Sequence, residues 1–334
     1  MVKSLNSDTQ PSPDRAVLLT VGPDSHDQRL DNFLVKVCKG VPKSHIFRII
    51  RSGEVRVNRG RAEAKTRLSE GDVLRIPPIR VAQKQSLTGY SSNANSNLAS
   101  TKKWVERIEV LYEDEGLLAI SKPSGVAVHG GSGESLGVIE ALRAVRPEQA
   151  QTLELVHRID RETSGVLLVS KKRSYLRALQ EQLRNRMWKK YYSTLVLGHW
   201  PKHLSKVDKP LKKVQAGQKE QKVFVSPDGD NAVSLFKVEG CFSGKDVDFS
   251  LLSVQILTGR THQIRVHTSA SGFPIAGDDR YGHFQTNKQL TRQGLGRMFL
   301  HAKSVTILHP QTGEKLRIDA PLAPDLAHFL DTLR

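Results

Sequence analysis

The stretch VHRIDRETSG, residues 156–165, is the densest run of polar side chains in the chain. Asp160 lies in it between Arg158 and Arg161, and the apolar segment that follows, residues 166–170, predicts a strand. Such a carboxylate can belong to a salt-bridged surface turn. It can also be a functional group whose charged form the neighbouring cations stabilise. The stretch by itself leaves both interpretations open.

A second polar stretch, LTGRTHQIRVH at residues 257–267, favours the functional interpretation. It places two arginines, Arg260 and Arg265, and two histidines, His262 and His267, in a segment bounded by apolar sequence. The histidines are five residues apart, so they do not share one helical face, and no cysteine-rich segment accompanies them. We therefore expect no metal site here.

Length and charge limit the class of protein. A chain of 334 residues suits two domains. It carries 51 Lys and Arg against 34 Asp and Glu, a net charge of +17, which attracts polyanions such as nucleic acid. An anionic membrane is the alternative, but no basic amphipathic helix with a large aromatic face and no run of about 20 apolar residues is present. The first 14 residues lack the apolar core of a signal peptide, so we expect a cytoplasmic protein.

Residues 27–78 predict a small module of two helices followed by short strands. Apolar residues recur at helical spacing in 29–38 and again from Ser44, a candidate N-cap, to Ile50. Residues 54–58 then alternate like a strand, and Asn58-Arg59-Gly60 predicts a turn. The outward positions of this module are occupied by basic residues, and acidic residues are sparse. The simpler alternative is that these basic residues form an ordinary solvent-exposed face without a ligand.

The text GVPKSHIFRIIRSGEVRVNRGR at residues 40–61 resembles the S4 RNA-binding domain of ribosomal and RNA-modifying proteins. This resemblance implies RNA-binding cations on the second helix and the following hairpin. The candidates are Lys43, Arg48, Arg51, Arg56 and Arg59.

Two segments outside this module predict little regular structure. Residues 1–26 are predicted to be disordered or extended, with a strand-like stretch at 16–21. Residues 79–103 are predicted to be a flexible linker, because 84–103 are rich in Ser, Asn, Thr and Lys with almost no large apolar residue. We therefore expect the module to move relative to the rest of the chain.

Residues 104–334 predict an α+β catalytic domain built on mixed, largely antiparallel β-sheet with flanking helices. Strands are predicted at residues 108–112, 117–121, 166–170, 191–196, 232–238, 247–256, 299–308 and 316–318, and helices at 174–187 and 324–333.

Four stretches of this domain resemble, in order, the motifs of the RluA family of pseudouridine synthases. They are KPSG at 122–125, HRIDRETSG at 157–165, KYYSTLVLG at 190–198, and TGRTHQIRVH at 258–267 followed by GFPIAGD at 272–278 and YG at 281–282. The departure is Ser193-Thr194, where the family usually has a larger apolar residue and alanine. With the front module, the whole chain resembles the RluC-like subgroup, which acts on large-subunit (23S) ribosomal RNA.

The resemblance implies an isomerase that converts uridine to pseudouridine with Asp160 as the nucleophile. It implies that Arg265 is the charge partner of Asp160, that Tyr192 stacks on the flipped uracil, and that Ile264 forms the opposing wall. Arg158 would fill the vacated stack or grip a phosphate.

Several points stay open at the level of sequence. Tyr191 adjoins Tyr192, and either could be a core residue. Whether Asp160 attacks the ribose or the base, or first assists proton removal, is undecided. The isomerisation consumes nothing, so we expect no cofactor, and nothing demands more than a monomer. A non-catalytic RNA-binding protein is the main alternative. A metal-dependent nuclease would need clustered carboxylates, whereas these motifs offer one aspartate.

Overall fold

The computed structural model describes residues 14–38, 41–79, 105, 108–130, 137–216, 220–244 and 246–334. They belong to two units, Met1–Ser91 and Ser92–Arg334, which are treated separately below. The predicted linker at 79–103 lies outside the described residues apart from Ile79, and so do residues 1–13 of the predicted disordered start.

The small unit has two helices on a four-stranded antiparallel sheet. Its elements are β1 (Val17–Thr20), a 3-10 turn (Pro23–Ser25), α1 (Leu30–Val37), α2 (Lys43–Arg51), β2 (Arg56–Val57), β3 (Gly60–Arg61) and β4 (Val73–Ile76), and the strand order is β1-β4-β2-β3. The strand β1, which precedes residue 27, pairs along its whole length with β4. The predicted strand-like stretch at 16–21 is therefore confirmed as a strand of this sheet.

The predicted helical spacing of the small unit is confirmed by its core. Leu30, Phe33 and Leu34 on one face of α1 are fully buried with Ile46 and Ile49 of α2. The predicted N-cap Ser44 was wrong. The helix α2 begins at Lys43 with Pro42 at the N-cap position, and no side chain caps it. Proline is suitable at this position because its fixed φ matches the extended backbone that precedes the helix. The unpaired backbone N–H groups of the first turn belong to the residues that follow Pro42.

The large unit alternates sheet hairpins with single helices. Its strands are β5 (Val110–Glu113), β6 (Leu117–Lys122), β7 (Glu154–Leu155), β8 (Ser164–Ser170), β9 (Lys189–Leu197), β10 (Lys206–Asp208), β11 (Leu211–Ala216), β12 (Glu220–Val225), β13 (Val233–Ser243), β14 (Asp248–Ile256), β15 (Leu300–Leu308) and β16 (Lys315–Asp319). Its helices are α3 (Val138–Val145), α4 (Arg173–Arg184), α5 (Gln263–Ser269), α6 (Phe284–Arg292) and α7 (Pro324–Asp331), with a 3-10 turn at Pro147–Gln149.

A ten-stranded sheet organises this unit. The order is β10-β13-β14-β9-β15-β8-β6-β5, with β16 added beside β15 and β7 beside β8, while β11 and β12 form a separate hairpin. The described ladders are antiparallel except for β8 with β15, which is parallel. The predicted α+β class with mixed, largely antiparallel sheet is therefore confirmed, and each predicted strand and helix is present with its ends shifted by a few residues.

Both faces of the sheet are covered, which explains the continuous apolar run after the Asp160 stretch. All seven residues of β8 are buried. Leu167 and Val169 pack into one cluster, and Val166 and Leu168 pack into another, against Leu179 of α4. A strand buried on both faces needs apolar side chains at successive positions instead of alternating ones.

The parallel contact between β8 and β15 depends on Gly165. This residue has φ +105, and a Cβ there would lie 2.3 Å from the carbonyl oxygen of Ala302. Only glycine accommodates both the backbone conformation and the close approach. Gly165 thereby holds the segment that follows Asp160 against the backbone of β15.

Three smaller observations complete the fold. The helix α4 ends at Arg184, earlier than the predicted residue 187, and Arg186 is left-handed with φ 56. Thr194, at the departure from the family motif, is buried, and its hydroxyl donates to the Phe299 carbonyl at 2.9 Å, so the polar residue is satisfied.

Among the described residues, no helix combines the length and apolar character needed to span a bilayer.

Candidate active site

The loop that carries Asp160 is held through its backbone by the segment after β6. The Arg161 carbonyl accepts from the backbone N–H of Gly125 and from Lys122 Nζ, both at 2.9 Å. The Glu162 carbonyl accepts from the Ser124 hydroxyl at 2.7 Å. Because these contacts use main-chain carbonyls, they fix the loop while leaving the Asp160 side chain free to face outward.

Lys122 is fully buried and makes three hydrogen bonds to carbonyl groups. Its acceptors are Pro123, Val126 and Arg161, at 2.7, 2.8 and 2.9 Å. Burial lowers the pKa of Lys122 to about 7, against the raising effect of Glu162 and Asp160. The three acceptors favour the charged ammonium, since a neutral amine has only two N–H groups to donate. Lys122 therefore anchors the Asp160 loop through its three hydrogen bonds.

The second polar stretch forms the start of α5, and Gln263 holds that start in place. The Gln263 side-chain oxygen accepts from the Thr258 hydroxyl at 2.7 Å and the Arg260 backbone N–H at 3.0 Å. Its amide nitrogen donates to Val233 and Ser234 on β13, at 2.9 and 3.0 Å. Because both the oxygen and the nitrogen of this buried amide are hydrogen-bonded, they fix the rotation of α5 about its axis and so the direction of its side chains.

Arg265 on α5 is held by a residue to which sequence reasoning gave no role. Its Nε and Nη2 donate to the two carboxylate oxygens of Asp278, each at 2.8 Å, and the Asp278 side chain is completely buried. Burial by itself would raise the pKa of Asp278, but the hydrogen bonds and charge of Arg265 lower it overall. The fork fixes the guanidinium plane and leaves Nη1 free to point elsewhere.

That free nitrogen points at Asp160. Arg265 Nη1 lies 3.5 Å from Asp160 Oδ2, and His262 Nε2 lies 4.0 Å from the same oxygen. The Asp160 side chain keeps 20% of its surface exposed, so its carboxylate sits at the edge of a cavity. The two polar stretches, about a hundred residues apart in sequence, are thus brought together around one carboxylate.

The cavity beside Asp160 has a volume of about 520 Å³, within the range of small-molecule sites. Tyr192 and Ile264 line it and are both buried. Burial, and after it the charge of Asp160, raises the pKa of Tyr192, so this phenol stays neutral. Tyr191 does not line the cavity. Cationic side chains complete the lining: Arg158, Arg184, Arg186, Lys190 and Arg260.

Arg158 lies at the rim of the cavity. Its side chain is exposed and, within the described part of the chain, has no ion pair or hydrogen bond. Arg161 and Arg260, the other cations of the two stretches, pair with Glu162 at 2.7 Å and Asp230 at 3.3 Å. Arg265 is therefore the arginine that the structure brings within 4 Å of Asp160, and Arg158 is the one left available to a ligand.

The two remaining histidines of interest are structural. His267 is fully buried between the Ser234 hydroxyl and the Lys209 carbonyl, each at 3.0 Å. His301 is buried between the Ser164 hydroxyl and the Ala320 carbonyl. Burial lowers the pKa of both. In the described ranges, no cluster of three or more His, Cys, Asp or Glu side chains is arranged to hold a metal ion.

The five cations predicted to bind RNA belong to the small unit, where α2 and the β2–β3 turn carry them. Arg48 has a long ion pair with Glu54, at 4.0 Å, and the other four form none with the described residues. Arg56 lies opposite both Arg61 and Arg75 across β2, β3 and β4. Three arginines side by side repel one another, so this row favours an anionic ligand. Arg75 was not among the predicted residues, because a lone arginine in a strand gives no signal.

Comparison with known proteins identifies the family of the chain. Residues 116–270 match the model of the RNA pseudouridylate synthase family, and residues 28–74 match that of the S4 domain. Over 317 residues the chain is 49% identical to the ribosomal large subunit pseudouridine synthase C of Yersinia pestis, covering 95% of each chain. The chain belongs to the RNA pseudouridylate synthase family.

Two further relatives agree with this membership. The ribosomal large subunit pseudouridine synthase C of Escherichia coli K12 is 48% identical over 319 residues, 95% of this chain and 96% of that one. The solved structure of human RNA pseudouridylate synthase domain containing 4 superposes with a TM-score of 0.56 at 26% identity, covering 72% of this chain and 98% of its own. The predicted family, with an S4 domain in front of a pseudouridine synthase domain, is therefore confirmed.

Proposed function

We propose that this pseudouridine synthase acts on uridines of large-subunit (23S) ribosomal RNA and uses Asp160 as its nucleophile. The observation that carries the proposal is the position of Asp160 at the edge of a cavity of about 520 Å³, with Arg265 at 3.5 Å. The choice of RNA rests on the names of the relatives, which cover nearly the whole chain at 48 and 49% identity.

The reaction breaks the bond between uracil N1 and ribose C1′ and joins C1′ to C5 of the rotated base. C5 loses a proton and N1 gains one, so atoms balance without a co-reactant. A covalent bond to Asp160 would keep the fragments together while the base turns. Arg265 places a positive charge 3.5 Å from the Asp160 carboxylate, and its fork with Asp278 keeps that charge in place through the cycle.

The walls of the cavity suit a base that has left its helical stack. Tyr192 offers a neutral aromatic face and Ile264 an apolar one, and a flat uracil fits between such surfaces. Arg158, exposed at the rim, would fill the gap in the RNA stack or hold a phosphate. Arg184, Arg186 and Lys190 lack ion pairs with the described residues and would contact neighbouring phosphates.

The small unit would anchor the RNA. Its row of Arg61, Arg56 and Arg75 and the exposed Arg51 form no ion pair with the described residues, and Arg48 has a long one, at 4.0 Å from Glu54. Phosphate contacts of this kind add affinity and register but no base sequence. Ribosomal RNA as substrate also implies a cytoplasmic location, and the chain is proposed to work as a monomer.

The alternative is a relative that has kept the fold and RNA binding without chemistry. The intact group of Asp160, Arg265 and Asp278 disfavours it, because a buried charge network costs free energy that binding alone does not require.

The test is pseudouridine mapping of ribosomal RNA from cells with the gene intact, deleted, or replaced by Asp160→Asn. We expect specific pseudouridines of the large-subunit RNA to disappear in the last two strains. A strain carrying Asp228→Asn, which changes an exposed aspartate elsewhere in the large unit, should keep them. Loss of none of these modifications in the deletion strain would refute the assigned substrate.

A further inference from the structure

Tyr281 contacts both groups that lie beside Asp160. Its hydroxyl is 2.8 Å from His262 Nδ1, and its ring carries the guanidinium of Arg265 over its face at 5.1 Å from the ring centre. Its backbone N–H donates to Asp278 Oδ1 at 3.1 Å, the carboxylate that also holds Arg265. Among the described residues, Tyr281 thus contacts both side chains that form ion pairs with Asp160, His262 and Arg265.

The hydrogen bonds of Tyr281 define the tautomer of His262. The backbone N–H of Val223 on β12 donates to the Tyr281 hydroxyl oxygen at 3.3 Å. With Val223 as a donor to its oxygen, the Tyr281 hydroxyl still has its own proton to donate, and His262 Nδ1 is the acceptor within 2.8 Å. A neutral imidazole that accepts at Nδ1 carries its own proton on Nε2. Burial lowers the pKa of His262 to about 4, against the pull of Asp160, so the ring is neutral at pH 7.

The other end of the ring requires the same tautomer. His262 Nε2 faces Asp160 Oδ2 at 4.0 Å. A proton on Nε2 attracts the carboxylate, whereas the opposite tautomer would direct a lone pair at a negative charge. His262 also adopts a left-handed backbone, with φ 53, at the residue before α5. A non-glycine residue in this conformation is uncommon and is often kept at functional sites.

We propose that Tyr281 is a positioning residue: its hydroxyl sets His262 in the Nε2–H tautomer, so that His262 and Arg265 together direct two donors at Asp160. The inference rests on the proposed role of Asp160 as nucleophile. It assigns to His262 a part in orienting the carboxylate and gives the β11–β12 hairpin a link to the active site through Val223.

The tautomer can be measured without RNA. Nitrogen-15 NMR of the imidazole groups distinguishes Nε2–H from Nδ1–H histidine, and His262 is assigned by its absence in His262→Asn. We expect the Nε2–H form in the intact chain and a mixture in Tyr281→Phe. Tyr112→Phe is the matched control, since that half-buried hydroxyl donates to Asp114 at 2.9 Å, away from the cavity. An Nδ1–H form in the intact chain, or no change in Tyr281→Phe, would overturn the proposal.

Single-turnover rates on ribosomal RNA then test the consequence. Tyr281→Phe should lower the rate roughly 2- to 10-fold, as removing one hydrogen bond between neutral groups does, with RNA affinity unchanged. His262→Gln should keep most of the rate, because its amide nitrogen can occupy the place of Nε2, whereas His262→Asn is too short and should lose it. Equal loss in both would mean that His262 exchanges protons with the base, and the positioning role would be wrong. Because the NMR arm needs no turnover, failure of this proposal is distinguishable from failure of the proposed function.

Discussion

Arg265 in the large unit and Arg48 in the small unit carry the same side chain in opposite settings. The Arg265 side chain is 8% exposed and forms a two-point fork with a completely buried aspartate. The Arg48 side chain is 61% exposed, and its ion pair with Glu54 spans 4.0 Å. A buried fork fixes a charge in direction, whereas an exposed, weakly paired cation stays free to meet phosphates. The contrast separates groups that direct chemistry from groups that bind the polymer.

The largest effect is expected at the nucleophile. Asp160→Asn keeps the shape of the side chain but removes its nucleophilic charge, so the single-turnover rate should fall by roughly 10⁴-fold or more. RNA affinity and its salt dependence should stay unchanged, because the phosphate-binding cations are untouched. Asp228→Asn should match the unmodified protein in both measurements. Appreciable turnover by purified Asp160→Asn would contradict the assignment.

A smaller loss is expected when the buried fork is altered with its charge kept. Arg265→Lys retains the cation that Asp278 needs but cannot donate to Asp278 at two points and to Asp160 at a third. The rate should fall roughly 10- to 100-fold, with little change in affinity. Arg317→Lys is the matched control, because Arg317 forms the same fork with Asp319 on the surface. Equal effects of the two variants would remove the distinction between buried and exposed forks.

The two units should also differ in acid. His267 and His301 are buried in the large unit with pKa values lowered by burial, from an ordinary value near 6.5. Below about pH 6.5 these two histidines bind protons in the unfolded chain but stay neutral in the folded chain. Stability present above about pH 6.5 is therefore lost as pH falls, by about 1.4 kcal/mol per pH unit for each histidine.

Tryptophan fluorescence isolates this effect, since the three tryptophans, Trp104, Trp188 and Trp200, all belong to the large unit. Denaturant unfolding followed at pH 7, 6 and 5 should give a falling free energy of unfolding. The described part of the small unit has no fully buried histidine. A constant free energy of unfolding for the large unit over this range would show that these histidines become protonated without unfolding.

The smallest effect is expected in the small unit. Replacing Arg48 and Arg51 by Gln removes two exposed charges. For every phosphate that the variant no longer neutralises, the log-log salt dependence of RNA affinity should flatten by about 0.7 to 0.9. The rate at saturating RNA should not change. Arg67→Gln serves as the control, because Asp27 already balances that charge at 3.3 Å. An unchanged slope in the double variant would mean that these arginines are not the RNA anchor.

Much of this arrangement could be predicted from sequence. Helical spacing in the small unit and apolar runs in the large one predicted most elements. Asp160, Arg265, Tyr192 and Ile264 were named from motif resemblance, and the structure brings all four to one cavity. Their roles remain proposals. These features could be predicted because short motifs and helix or strand periodicity depend on residues that are close together in the sequence.

What the sequence did not reveal depends on contacts between distant segments. Asp278 follows a run of small and apolar residues, and nothing local says that its carboxylate meets Arg265. Tyr281 has a role only because Val223 and His262 lie on either side of its hydroxyl. Lys122 looks like a surface lysine beside a proline, yet it is fully buried. The helix α5 was not predicted because its polar residues are buried, which breaks the usual amphipathic pattern.

The most direct test of the central claim measures both quantities in both kinds of variant. Single-turnover rate at saturating RNA and the salt dependence of affinity are compared for Arg265→Lys and for the Arg48→Gln, Arg51→Gln double variant. We expect the first variant to lose rate with its salt slope intact, and the second to lose slope with its rate intact. If either variant moves both quantities together, the division between a buried catalytic arginine and exposed RNA-binding arginines is wrong.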